Sequence, residues 1–236
     1  MSAVLITGAS RGLGLELVRA YHNRGWTIFP LVRHRTAARR LTDRYPERCH
    51  MILADVTSDS VESAIADILS KHTDRLDLLI NNAGNIRKNR ALAGAGEDDL
   101  RALFEVHCVG ALKCVRAALP FLQKAERPAI VNITSRKGSI GLTTAAQTDP
   151  HLLIYAYQMA KAAQNMLTAC LHAELSPRGI GVYAVHPGRL KTEVAPPDAD
   201  TEPADAADKL AEWTQKLDHI LPCHLYDLMN DTVLDW

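Results

Sequence analysis

The 236-residue chain has no excess of either charge: Lys plus Arg number 27, and Asp plus Glu also number 27. That balance recruits neither nucleic acid nor an anionic membrane surface. No apolar run approaches the roughly 18 residues that read as a membrane-spanning helix. The opening "MSAVLITGAS" lacks a basic n-region and holds only four apolar residues in a row, which argues against a signal peptide. The five cysteines (Cys49, Cys108, Cys114, Cys170, Cys223) form no C-x-x-C pair. Their odd number and scatter are those of free thiols in a reducing compartment, so the expected location is cytoplasmic. There is no H-E-x-x-H and no tight histidine cluster, and the Cys223–His224 pair stands alone, so no metal is expected. No G-x-S-x-G elbow surrounds Ser135, which argues against a serine hydrolase. No repeat and no linker divides the chain.

What is present is alternation. Short apolar runs at 3–7, 26–32, 50–56, 76–84, 129–135 and 180–188 read as strands, with helix-length segments between them. Residues 12–25 read as a helix closing on a C′ glycine, Gly25. A helix is expected to start near the cap candidates Thr57 or Ser58, and long helical patterns fill 98–124 and 152–176. Pro30 is awkward for a central ladder. The succession predicts an α/β fold in one domain, residues 1–236: a doubly wound parallel sheet with helices on both faces. Residues 193–209 become acidic and rich in Pro and Ala. They read as a mobile loop leading into a helix at about 203–217, with a substrate loop expected over about 193–210. Loops beyond strand carboxyl ends are where such sheets bind ligands.

"TGASRGLG" (7–14) falls between the first strand and the first helix. Gly8, Gly12 and Gly14 let the backbone turn sharply and approach a pyrophosphate resting on the helix N-terminus. A site for NAD usually has an acid after the second strand, but "VRHRTAARR" (32–40) has none before Asp43. Arg11 and Arg33 offer guanidinium forks that suit a 2′-phosphate, whereas Arg39 and Arg40 fit a solvated helix face.

In "YAYQMAK" (155–161), Tyr157 and Lys161 are four residues apart and share a helix face, while Tyr155 points elsewhere. The cation can favour the phenolate and lower the phenol pKa. The same spacing also suits a half-buried Tyr beside a solvated Lys, so neighbouring motifs must decide.

Those motifs resemble the short-chain dehydrogenase/reductase family from Ile6 to about Thr192, and within it the C-factor and sniffer-type carbonyl reductases. "TGASRGLG" matches the cofactor turn, and "ADV" (54–56) the segment where Asp55 and Val56 meet the adenine. "NNAG" (81–84) matches the signature closing the fourth strand, and "IVNITS" (130–135) ends at the serine position. "YQMAK" carries the Tyr and Lys, and "HPGRLKT" (186–192) matches the segment beside the nicotinamide. "SRKGSIG" (135–141) and the end of the chain, "LYDLMNDTVLDW", resemble the sniffer-type branch.

The resemblance implies a Rossmann-type domain holding NADP(H) through Gly8, Ser10, Arg11, Gly12, Leu13, Gly14, Arg33, Asp55, Val56, Asn82, Ala83, Gly84, Tyr157, Lys161, Pro187, Gly188 and Thr192. It implies hydride transfer between NADPH and a small-molecule carbonyl or alcohol. Tyr157 gives the proton, Ser135 bonds the carbonyl oxygen, and Lys161 lowers the phenol pKa and holds the nicotinamide ribose. It also suggests a homodimer or homotetramer paired through the long helices, whose apolar faces could equally be core.

One position departs from the family pattern. In "VHCVG" (106–110), His107 stands where the family has an asparagine that holds relay water below the lysine. Histidine can bond water and backbone, so a catalytic part is expected for His107, fading as the imidazole charges at low pH. A buried histidine without a part in turnover is the alternative. For the whole chain the alternative is a non-catalytic NADP-binding regulatory protein on the same fold. The pocket is expected between Ser135 and Tyr157 and in the loop after Thr192. Arg136, Lys137 and Arg189 mix there with acids and leave the substrate open.

Overall fold

The apolar strand runs are buried on both faces because helices cover both sides of one sheet. In the computed structural model, residues 2–86, 92–145, 153–192, 195 and 199–236 are described. The strands are β1 (Ala3–Thr7), β2 (Thr27–Val32), β3 (Ile52–Leu53), β4 (Leu78–Asn81), β5 (Ala129–Ile133), β6 (Gly181–His186), β7 (Leu225–Asp227) and β8 (Thr232–Leu234). Their order is β3-β2-β1-β4-β5-β6-β7-β8, parallel throughout except for the antiparallel β7–β8 pair. All five residues of β1 and of β5 are buried, the pattern of a parallel sheet covered on both faces.

Alternate residues of β1 feed two cores. Val4 and Ile6 pack with Leu13 and Leu17 of α1 (Gly12–Asn23), Leu41 of α2 (Arg35–Arg44) and Leu210 of α8 (Pro203–Gln215). Ala3 and Leu5 pack with Ile65 of α3 (Val61–His72), Cys114 of α5 (Gly110–Leu122) and Leu171 of α7 (Tyr155–Leu175). Between these lie α4 (Glu97–Phe104) and α6 (Ile140–Ala145). Successive strands build outward from β1 in one direction and from β4 in the other. The crevice between their carboxyl ends is therefore the switch point at which such sheets bind ligands.

Several expectations change in detail. Pro30 sits inside β2, paired with Ile6. Ile28 turns its N–H and its C=O toward Arg48 and His50, on the β3 side. Alternation puts Pro30 on that same side, so its missing N–H weakens only the ladder to the two-residue β3. The cap of α3 is Ser60, because Asp55 captures Thr57 in a tight turn before the helix begins. The helical pattern over 98–124 is interrupted by a π-turn, Glu105–Val109. The substrate loop expected over about 193–210 ends at Pro203, where the helix expected at about 203–217 begins. From Pro203 the chain is α8, which buries Ala206, Ala207 and Leu210 and pairs Asp208 with Arg19 of α1 and with Arg24 just after it, at 2.6 and 2.9 Å. Residues 193, 194 and 196–198 of that loop, and 146–152 of the expected pocket segment, lie outside the described residues. No helix among the described residues is long and apolar enough to cross a membrane.

Candidate active site

The glycine turn caps the crevice. Gly8 has φ +67, a conformation that L side chains rarely adopt, and a methyl group on it would come within 2.7 Å of Ala83 Cα. A methyl on Gly14 would strike the carbonyl oxygen of Gly8. Helix α1 opens with no side-chain cap and no acid in its first turn, so no group of its own competes with an anion for its first N–H groups. The β4 end is tied to this turn. Thr7 Oγ1 accepts from the backbone N–H of Asn82 and Ala83 at 3.0 and 2.9 Å, and the Asn82 amide donates to Thr7 O at 2.9 Å.

The cleft that starts there has a volume of about 1050 Å³, and every cofactor-binding and catalytic residue expected from the sequence lines it. It runs from Gly8, Arg11, Arg33 and Asp55 past Asn82 and Gly84 to His107, Ser135, Tyr157 and Lys161, with Pro187, Gly188 and Thr192 along one wall. Four polar lining residues had been given no role: Asn85, Thr134, His186 and Lys191. Thr134 falls inside "IVNITS" and His186 and Lys191 inside "HPGRLKT", so their motifs could have flagged all three. Size and cradle together fit a dinucleotide.

The Arg33 end is open. Arg33 is 60% exposed and lies 3.5 Å from Asp55. Burial pushes the Asp55 carboxyl up, but the Thr57 N–H and hydroxyl together with Arg33 outweigh it and hold it below its usual range.

The other end is dry. Ser135 and Lys161 are buried, at 8% and 5% exposure. Lys161 Nζ lies 5.8 Å from the Tyr157 ring centre and donates to Ile133 O and Gln164 Oε1, each at 2.8 Å. Burial lowers its pKa to about 7. Burial raises the Tyr157 phenol above its ordinary value, and the Ser135 hydroxyl pulls it back. The phenol is thus raised rather than lowered beside Lys161, whose ammonium gives two of its three protons to the oxygens of Ile133 and Gln164. The π-turn aims His107 inward, edge-on to Tyr157 with ring centres 5.9 Å apart. Its Nε2 lies 3.0 Å from Asn85 O, which accepts, so Nε2 carries the proton and Nδ1 is left buried without a partner. Burial, then Lys161, lowers the His107 pKa to about 3, so its charging is moved far below neutrality.

A family model described as short chain dehydrogenase matches residues 2–203. The chain belongs to the short-chain dehydrogenase family. It is 35% identical over 206 residues to short-chain dehydrogenase PC-15 of Penicillium crustosum, covering 83% of this chain and 70% of that protein. It is 35% identical over 152 residues to C-signal of Myxococcus xanthus, covering 64% of this chain and 86% of that protein. Among solved structures, carbonyl reductase Sniffer of D. melanogaster superposes with a TM-score of 0.89 at 28% identity, covering 100% of both chains. NADPH-bound carbonyl reductase from chicken fatty liver superposes with a TM-score of 0.85 at 26% identity, covering 100% of this chain and 99% of the other. The chain is thus an oxidoreductase-family member with a cleft fit for a nicotinamide cofactor.

Proposed function

We propose that the protein is an NADPH-dependent reductase of ketones or aldehydes, able to run in reverse on alcohols. The observation that carries this reading is the meeting of Ser135, Tyr157 and Lys161 at the dry end of the cleft whose other end is the glycine turn. Gly8–Gly14 and the α1 N-terminus hold the pyrophosphate, Arg11 and Arg33 the 2′-phosphate, and Pro187, Gly188 and Thr192 back the nicotinamide. Bound there, NADPH supplies the hydride. Ser135 donates a hydrogen bond to the substrate carbonyl oxygen and orients it. Tyr157 gives its phenolic proton to that oxygen as negative charge develops. Lys161, protonated, steadies the phenolate left behind and holds the ribose. The low exposure of Ser135 and Lys161 keeps bulk water from competing for the proton.

A second reading, an NADP-binding regulatory protein without turnover, is favoured by the raised Tyr157 phenol and by the commitment of Lys161 to Ile133 and Gln164. Cofactor absorbance followed with a panel of aldehydes and ketones separates the two. Carbonyl-dependent loss of NADPH supports the reductase. Tight NADPH binding without consumption across the panel supports the regulatory protein.

A further inference from the structure

Lys161 is buried with no carboxylate in ion-pair contact among the described residues. The titratable groups that face it are Tyr157 of α7, His107 and Cys108 of the π-turn, and His186 at the end of β6. None is an anion near neutrality. Burial holds His107 and His186 down to about 3 and about 4, and pushes the Cys108 thiol up to about 11. The Tyr157 phenol is likewise raised. A buried ammonium without a counter-ion must be held by dipoles. The structure supplies two. The Ile133 carbonyl is backbone, and any residue there would offer it. The other is Oε1 of Gln164, a side chain only 1% exposed and one turn beyond Lys161 on the same helix. An ammonium has only donors, so the amide must turn its oxygen inward. The Gln164 backbone carbonyl accepts from Thr168, which accepts from Asn132, which accepts from Asn81. The turn carrying Gln164 is therefore braced from the sheet.

We propose that Gln164 is a positioning residue that keeps Lys161 an ammonium and fixes the direction of its remaining N–H. Two of the three ammonium protons go to Ile133 and Gln164. The third is left for the cleft and Tyr157. The effect on turnover rests on the role given to Lys161 above; the effect on Lys161 itself does not.

The test is an NMR titration of protein isotopically labelled at the lysine Cε carbons, the Lys161 signal being identified by its loss in Lys161→Arg. Gln164→Met keeps the chain length and removes the acceptor, so the Lys161 midpoint should fall by about one to two pH units. Gln164→Glu adds an anion and should raise it by at least as much. Folding is checked by circular dichroism at each pH, and either variant alone decides if the other does not fold. Turnover needs charged Lys161, which exists below its midpoint. The fall of kcat on the alkaline side should therefore move down in Gln164→Met and up in Gln164→Glu. A Lys161 midpoint unmoved in a folded variant overturns the proposal. Midpoints that move under an unchanged pH–rate profile uphold the hold of Gln164 on Lys161 and overturn the part assigned to Lys161 in the reaction.

Discussion

The two ends of the cleft solve charge in opposite ways. At one end Arg33 is 60% exposed and faces Asp55 across 3.5 Å, where water screens the pair and makes it weak. An arriving phosphate can replace that partner at little cost. At the other end Lys161 is 5% exposed and faces no anion among the described residues, and its pKa falls to about 7. Burial there moves titratable groups away from their charged forms: Lys161, His107 and His186 down, Tyr157 and Cys108 up. The wet end is built to bind a charge, the dry end to move one. If that division is right, substitutions at the two ends should fail in different quantities.

The largest expected effect is at the dry end. Tyr157→Phe removes only the proton donor, so turnover should fall by about 10³-fold. Steady-state kinetics beside a calorimetric NADPH titration reads both quantities. Next is the wet end. Arg33→Ala should weaken NADPH by roughly ten- to a hundredfold, the worth of a charge-assisted contact, and leave NADH unchanged. Equal losses for both cofactors would place the arginine away from the 2′-phosphate.

His107 sharpens the comparison through stability. Its pKa is 6.5 ordinarily and about 3 in the fold. Between those values the unfolded chain binds the extra proton, so the contribution is complete above pH 6.5 and is lost as pH falls toward 3. At pH 5 the loss from this residue is about 2 kcal/mol. His186, held down to about 4, acts in the same direction. Urea unfolding of His107→Asn should show a pH 7 to pH 5 loss smaller by about 2 kcal/mol than the parent chain. Equal losses would mean that this imidazole is not kept neutral by burial. The folded His107 also charges too low to account for a fall in reduction that begins near pH 6. The smallest effect is at Tyr155, whose phenol does not line the cleft. Tyr155→Phe should keep most of the activity, measured against Tyr157→Phe on one substrate.

What the sequence made legible was whatever a motif or a period encodes. The apolar runs gave six strands because a parallel sheet buries both faces of each one. The glycine turn could be placed from its position between strand and helix, and Tyr157 with Lys161 from their helix spacing; Asp55, Asn82 and Ser135 came only through the resemblance to the family's motifs. Gln164 carries no motif. It reaches Lys161 because i and i+3 meet on a helix, a pairing visible as K-x-x-Q only after Lys161 is known to point inward. The π-turn at Glu105–Val109 leaves no trace in hydrophobic period, since its neighbours on both sides are ordinary helix. β7 and β8 are three residues each, too short to show alternation. Shifted pKa values come from burial, which tertiary packing decides.

The division between the two ends is tested most directly by kcat at saturating NADPH, measured side by side for Arg33→Ala and Tyr157→Phe. Arg33→Ala should match the parent chain once the cofactor is saturating, because the wet end only binds. Tyr157→Phe should remain about 10³-fold slower at any cofactor concentration. A kcat that falls alike in both variants, or that survives in Tyr157→Phe, would contradict the division.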